Sequence, residues 1–358
     1  MRILSIVSAA GLNGAVIYGR EVNRRLAARG HSVLLACLPE SVLAGEGERW
    51  QREATGGGAL RVLPSSLLWR SPAEVRRVAD ICRAEGIEVV HSHLTRANNF
   101  AAALHLLHRF PSAAHAHANH FQFHYWFHDL IIAVSRNTLS KHRRHLAGLG
   151  QRGVVLENFL DTERFRPAGS RPDALRALLG VSAGTPVVVQ VGNLHRRKGQ
   201  DLTRAAAEQV WRTHPEVHFA FFGAGACPAA WAADVRVTWQ GQRADLSELL
   251  PHASVAVLPS RDDPMPLAAL EAMACAVPLV VARVGGLTDV TAGGCAVQIP
   301  RDDADALAQG IARVLSDSGF AQQLGAAAVA RVRERFTPEQ HMARLEQHLA
   351  AVAARRRR

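Results

Sequence analysis

Residues 185–199 read Thr185-Pro186-Val187-Val188-Val189-Gln190-Val191-Gly192-Asn193-Leu194-His195-Arg196-Arg197-Lys198-Gly199. Thr185–Val191 is a short apolar run rich in β-branched residues, the composition of a buried strand. Gly192 closes it. A basic loop follows, and Gly199–His214 has helical periodicity. Strand, basic loop and helix N-terminus together suit a phosphate, because backbone N–H groups, the helix dipole and cationic side chains converge. The loop lacks both G-x-x-x-x-G-K-[ST] and G-x-G-x-x-G, so it is neither a Walker A loop nor a dinucleotide fingerprint.

The same alternation extends in both directions. Upstream, Ile3–Val7 reads as a strand and Gly11–Gly14 as a tight loop. Residues 14–29 read as a helix and His31–Cys37 as the next strand. Ser71-Pro72 opens a further helix, with Ser as N-cap and Pro at the first position. Strands follow at Glu88–His91, Leu130–Ser135 and Arg152–Leu156. Downstream, strands are expected at Val217–Phe222, Val235–Trp239, Ser254–Leu258 and Pro278–Ala282, with helices over Leu267–Ala274 and from about Asp303. Thr337-Pro338-Glu339-Gln340 is a capping box that starts the last helix. Alternating strands and helices imply parallel, doubly wound sheets. Asp161–Asp173, with two prolines and a glycine, is the best linker. The expected organisation is therefore 1–166, 167–336 and a terminal helix over 337–358 that packs back on the first domain.

The 358 residues carry 42 Lys+Arg against 31 Asp+Glu. Residues 1–165 are net +7. Residues 166–358 are net +4, all of it matched by Arg355–Arg358. The surplus thus belongs to the first half and the tail. It suits a solvated basic face, an anionic membrane surface or nucleic acid. No helix-turn-helix or aromatic sheet motif accompanies it, so nucleic acid is not expected. Cys37, Cys82, Cys227, Cys275 and Cys295 lack C-x-x-C spacing and read as free thiols in a reducing compartment. No apolar run approaches the roughly 20 residues of a membrane span. A cytoplasmic location is expected.

A second informative stretch is Asp263-Pro264-Met265-Pro266-Leu267-Ala268-Ala269-Leu270-Glu271-Ala272-Met273-Ala274-Cys275-Ala276-Val277-Pro278. Pro266 suits the first turn of a helix. Asp263 then lies just outside the N-terminus and Glu271 about two turns on. A carboxylate among Leu270, Ala272 and Met273 needs polar partners. Ligand hydroxyls would supply them.

This stretch resembles the E-x7-E region of the retaining GT-B glycosyltransferases of family 4. Other segments resemble the family in the same order: Arg29–Val33, Val89–His93, Ile132–Ser135, Glu157–Phe165, Gly192–Gly199, Phe222–Gly225 and Leu258–Ser260. The resemblance implies an α/β GT-B fold, two Rossmann-like domains facing an interdomain cleft. It implies a retaining transfer of a hexose-type sugar from a nucleotide-diphosphate sugar, without a metal or other cofactor. By the same resemblance Lys198 contacts the diphosphate, Glu271 the ribose, Asp263 the donor sugar, and Gly14 lies near the phosphates. Asn193, Arg196, Arg197, Gly223 and Leu267 join them as donor-binding positions. His117 matches the histidine near the anomeric centre, with His115 and His120 as alternatives. The implied acceptor is a glycan or lipid-linked glycan, as in lipopolysaccharide or surface polysaccharide synthesis. A non-catalytic sugar-nucleotide-binding homologue and a sugar-nucleotide epimerase are the other readings.

The chain departs from the family where Asn193 replaces an Arg, Asp263 a Glu, Phe159 a Gly, and Pro264 and Pro266 the glycines that normally follow the first Glu. Arg196 or Arg197 is the expected substitute cation. His115, His117, His120, His124 and His128 form a histidine-rich stretch, the last three sharing one face if helical. No closed ligand set is evident there, and no metal is expected. Phe121, Phe123, Tyr125, Trp126 and Phe127, followed by Lys141–His145, suit a face turned to anionic lipid.

Overall fold

The first six residues after Met1 form β1 (Arg2–Val7), an interior strand of a seven-stranded parallel sheet ordered β3-β2-β1-β4-β5-β6-β7. This computed structural model describes residues 1–9, 11, 13–46, 58–120, 122–146, 152–170 and 172–357. The other strands are β2 (Ser32–Cys37), β3 (Ala59–Pro64), β4 (Val89–His93), β5 (Ser112–Ala116), β6 (Leu130–Ala133) and β7 (Arg152–Val155). The helices between them are α1 (Gly14–Ala28), α2 (Pro72–Ala84), α3 (Thr95–His108) and α4 (Arg136–Leu146). Asn13 caps α1, its side chain accepting from the N–H groups of Ala15 and Val16. Ser71 caps α2 by accepting from Glu74 N–H.

One face of this sheet is apolar. Leu4, Ile6, Leu34, Ala36 and Val90 pack with Val75 and Val78 of α2 and Phe100 and Leu104 of α3. Strand side chains alternate, so His91 and His93, flanking Ser92 beyond Val90, point to the opposite face. There α1 lies across them. A Cβ at Gly19 would come 3.2 Å from Val7 Cγ2 and 3.8 Å from His93 Cδ2, so a small residue lets α1 sit this close.

The second sheet has six parallel strands ordered β10-β9-β8-β11-β12-β13. They are β8 (Val187–Val191), β9 (His218–Phe222), β10 (Val237–Trp239), β11 (Val255–Leu258), β12 (Leu279–Ala282) and β13 (Val297–Ile299). Its helices are α5 (Ala174–Leu179), α6 (Gln200–Val210), α7 (Ala229–Ala232), α8 (Leu246–Leu249), α9 (Leu267–Ala274), α10 (Gly285–Val290), α11 (Ala304–Ser316) and α12 (Ser318–Arg335). Val188, Phe219, Val257 and Val280 share a core with Val210 of α6 and Leu307 and Ile311 of α11. The last helix, α13, spans Pro338–Ala353.

The chain divides into two compact units, Met1–Asn158 with Glu339–Arg358, and Phe159–Pro338. The first division falls at Asn158, earlier than the residue 166 suggested by composition. The reason is local: Leu160 N–H donates to Phe336 O (2.9 Å) and Arg164 to Ala244 O (3.0 Å). These bonds stitch residues 159–166 into the second unit. Within the first unit, α13 buries Leu345, Leu349 and Val352. Glu346 takes a two-pronged ion pair from Arg29 (2.6 and 2.8 Å).

His120, His124 and His128 do not share a helical face. His124 lies in a 3-10 turn, Phe123–Phe127, and His120 precedes it in a bend. Phe123 is exposed and stacks edge-on against Trp126 and Phe127, while Tyr125 is buried. Phe121 lies outside the described residues. So do the side chains of Arg144 and His145 and those of Arg356–Arg358. All five cysteines are free thiols, Cys227 alone being half-exposed. Among the described residues, no helix is long and apolar enough to cross a membrane.

Candidate functional site

The order of the second sheet reverses between β8 and β11. The C-terminal ends of strands at such a reversal are where ligands of open α/β sheets bind. The two strands deliver Gly192–Gly199 and Pro259–Pro266. The first loop is held by backbone. Gly192 N–H donates to Phe222 O (2.7 Å) and Leu194 N–H to Ala224 O (2.8 Å). Asn193 Oδ1 accepts from Ala224 N–H (3.0 Å), so it stitches two loops together. Gly223 sits at φ +148, and a Cβ there would lie 2.2 Å from Gly192 O. Only glycine allows that approach.

Residues Arg196–Lys198 form a 3-10 turn capped by His195. Gly199, at φ +71, follows, and its Cβ would lie 2.2 Å from Pro259 O. The loops after β8 and β11 therefore touch backbone to backbone. Across this contact Lys198 Nζ donates to Asp263 Oδ2 at 2.6 Å. Asp263 is 3 % exposed. Ser260 Oγ donates to the same oxygen (3.4 Å), and Arg197 Nη1 stands 4.0 Å from Oδ1 while donating to Asp262 O. A buried carboxylate with one close and one distant cation is a paired charge rather than an orphan.

Arg261 braces the loop from behind. It forks onto Asp201 (2.8 and 2.7 Å), reaches Asp302, and donates to Arg196 O (2.7 Å). The hydrogen bonds hold the Asp201 carboxyl below its ordinary range and push the Arg261 guanidinium higher still. Arg196 itself is exposed.

Leu267 begins α9. Pro266 occupies the N-cap (φ −73, ψ 131) rather than the first turn, because its backbone stays extended. Glu271 lies on this helix. Burial pushes its carboxyl up to about 7, opposed by the positive charge of Arg164. The bonded patch therefore joins Asn193, Arg197, Lys198, Gly223 and Asp263, with Arg196 on its outer edge and Leu267 and Glu271 following on α9.

His117 and Gly14 belong to the other unit. Gly14 is the first residue of α1. His117 follows β5, partly exposed, and its Nε2 lies 3.1 Å from His93 Nδ1. His115 is buried inside β5, stacked on His117 at 4.6 Å. His120 is exposed and meets Gln122. Reading from the sequence missed that Tyr18 and His341 join this group: the Tyr18 hydroxyl meets His341 Nε2 at 2.8 Å and His115 Nδ1 at 3.5 Å. The available signal was the period-two His91/His93 and His115/His117 spacing, which places all four rings on one sheet face. Desolvation keeps the imidazoles neutral: His91, His117 and His341 fall to about 3, and His93 and His115 well below their ordinary value.

A structure of Anabaena HepE in complex with UDP-glucose superposes with a TM-score of 0.83. It covers 98 % of this chain and 100 % of that one, at 20 % identity. The fold is GT-B. The Glycosyltransferase Family 4 model matches residues 12–164 of this GT-B chain, and the Glycosyl transferases group 1 model matches residues 185–317. The alpha-maltose-1-phosphate synthase of Mycobacterium tuberculosis is 31 % identical over 233 residues, covering 58 % of this chain and 59 % of that protein. The D-inositol 3-phosphate glycosyltransferase of Nocardiopsis dassonvillei is 29 % identical over 219 residues, covering 56 % and 51 %. The chain thus spans less than two thirds of the length of these curated relatives.

Proposed function

We propose that the chain is a retaining glycosyltransferase that takes a hexose-type sugar from a nucleotide-diphosphate donor. The observation that carries this reading is the Lys198–Asp263 pair at the β8/β11 reversal. An ammonium has three N–H donors, so one can serve Asp263 while others serve phosphate oxygens. Breaking a glycosyl–phosphate bond builds negative charge on the diphosphate. Lys198, Arg197 and the amides at the N-terminus of α6 or α9 would stabilise that charge more in the transition state than in the ground state. Asn193 is committed to Ala224, so Arg197 is the better substitute for the family's missing arginine. Asp263 would orient the sugar. Glu271, half-buried and close to neutrality, would hold the ribose hydroxyls, which give its carboxyl the partners it needs. By resemblance, His117 and Gly14 keep their roles near the anomeric centre and the phosphates. No metal is assigned to the diphosphate.

The names of the relatives span maltose 1-phosphate and inositol 3-phosphate, so the acceptor is a separate proposal. A glycan or lipid-linked acceptor in surface polysaccharide synthesis, met on an anionic membrane, fits exposed Phe123, Lys141 and Arg143. Flotation with anionic liposomes should weaken in high salt and in Lys141→Ala/Arg143→Ala. Binding unchanged by both would overturn it.

The deciding experiment for the donor is thermal shift with a panel of sugar nucleotides. A bound donor raises the melting temperature by mass action. One class should stabilise the wild type, and Lys198→Ala and Glu271→Ala should lose the shift. If no sugar nucleotide stabilises the folded wild type, the reading fails. Product anomeric configuration, read by NMR, tests retention.

A further inference from the structure

The histidine face of the first sheet holds more imidazole than the reading above requires. β4 and β5 pair in register, His93 beside His115 and His91 beside Ala113. Side chains two apart on a strand share a face. The sheet therefore fixes His91, His93 and His115 as three corners of one patch under α1. One ring nitrogen from each lies within 4.8 Å of the others, and all three residues are fully buried. His91 Nε2 and His115 Nδ1 are 3.3 Å apart. That is long for a hydrogen bond. It matches the separation of two nitrogens each about 2.0–2.1 Å from one tetrahedral zinc. The Tyr18 hydroxyl stands 3.5 Å from the same His115 nitrogen and offers an oxygen at similar spacing.

The second observation is an orphaned atom. His93 Nε2 is buried and meets no protein partner, while His93 Nδ1 is engaged with His117. An unsatisfied buried polar atom is costly and calls for a ligand.

We propose that His91, His93 and His115 bind a transition-metal cation of the zinc class. The donor set selects the metal. Three imidazoles without a carboxylate suit zinc and its neighbours and are poor ligands for calcium or magnesium. Three histidines with one further position are an established zinc ligand set. Ligation uses deprotonated imidazole nitrogens. With His93 ligating through Nε2, its Nδ1 carries the proton and donates to His117 Nε2. A ligating histidine with its other N–H engaged by an acceptor is held in one tautomer and orientation. The site lies wholly in the first unit, and of the residues assigned to the donor it touches His117, through His93.

The test uses the tag-free full-length chain, stripped with chelator and titrated with ZnCl2 by calorimetry and with CoCl2 by visible absorption. One equivalent should bind, Co2+ should show the ligand-field bands of a low-coordinate nitrogen site, and Zn2+ should raise the melting temperature. His93→Gln and His115→Gln should weaken binding beyond the about 10–100-fold that loss of an outer-shell partner costs. The exposed control His120→Gln should bind as the wild type does. The proposal is overturned if the folded wild type takes up neither ion, or if folded His93→Gln and His115→Gln bind one equivalent undiminished. The wild-type readings need no variant, so a substitution that prevents folding leaves the test intact.

Discussion

Two sheet edges of the same design carry opposite electrostatics. In the second unit the edge at β8 and β11 holds fixed charges: Lys198 on Asp263, Arg197 nearby, and Arg261 forked onto Asp201. In the first unit the edge at β4 and β5 holds neutral rings: four histidines and Tyr18, packed edge-on or stacked at 4.3–5.7 Å between centroids. Parallel strands frame both, but only the charged one lies at an order reversal, since the first sheet reverses between β1 and β4. The residues along the strands decide whether such an edge attracts anions or presents lone pairs. The charged edge needs a partner for every ion because burial of a lone charge is prohibitive. The neutral edge escapes that cost by giving up its protons.

The largest test strikes the charged edge. Lys198→Ala should lower kcat by about 10²–10³-fold, the cost of one lost transition-state donor. Steady-state kinetics with the donor found by thermal shift measures it, and a fall under tenfold would deny Lys198 its assigned role. Next comes Glu271, the one carboxyl there with a raised value. Its folded form keeps a proton up to about 7, whereas the unfolded chain releases it near 4.5. The folded state therefore binds more protons in that window, and stability falls as pH rises through it. Glu271→Gln should match the wild type in urea at pH 4 and exceed it by up to about 3 kcal/mol at pH 8, while losing donor binding. Equal stabilities at pH 8 would contradict the burial of this carboxyl.

On the neutral edge, Tyr18→Phe removes the hydroxyl that meets His341. It should cost about 1–2 kcal/mol by chemical denaturation, with little salt dependence. The smallest effect belongs to the rim. Arg29→Ala breaks an ion pair with Glu346 in which the arginine is 42 % exposed. A loss of about 0.5–1 kcal/mol, shrinking in high salt, is expected.

Legibility in the sequence followed how strongly each segment was patterned. Leu267–Ala274 was expected residue for residue, because prolines and a turn bound it. α2 opened where Ser71-Pro72 announced it. In contrast, α3 showed no stripe. Ala97, Phe100, Ala101 and Leu104 are buried together with Asn98 and Ala102, so the helix is covered nearly all round. β5 reads Ser-Ala-Ala-His-Ala, with no β-branched residue to mark it. Its pairing between β4 and β6 makes it a strand, and pairing is not local information. The candidate donor residues were legible as types, whereas their connections were not. Nothing in residues 192–199 announces that Asn193 is tied to Ala224, or that Lys198 meets a carboxylate 65 positions away.

The return of Glu339–Arg358 to the first unit bears on biosynthesis. A ribosome emits the seven-stranded sheet first and its closing helix last, after the whole of Phe159–Pro338. The six-stranded unit is continuous in the chain and can fold as it emerges. The earlier unit has to wait, with the helix partner of Tyr18 still unmade. Order of synthesis and order of completion are therefore reversed between the two halves. Loss of the final helix would leave the first-made half unfinished and the second intact.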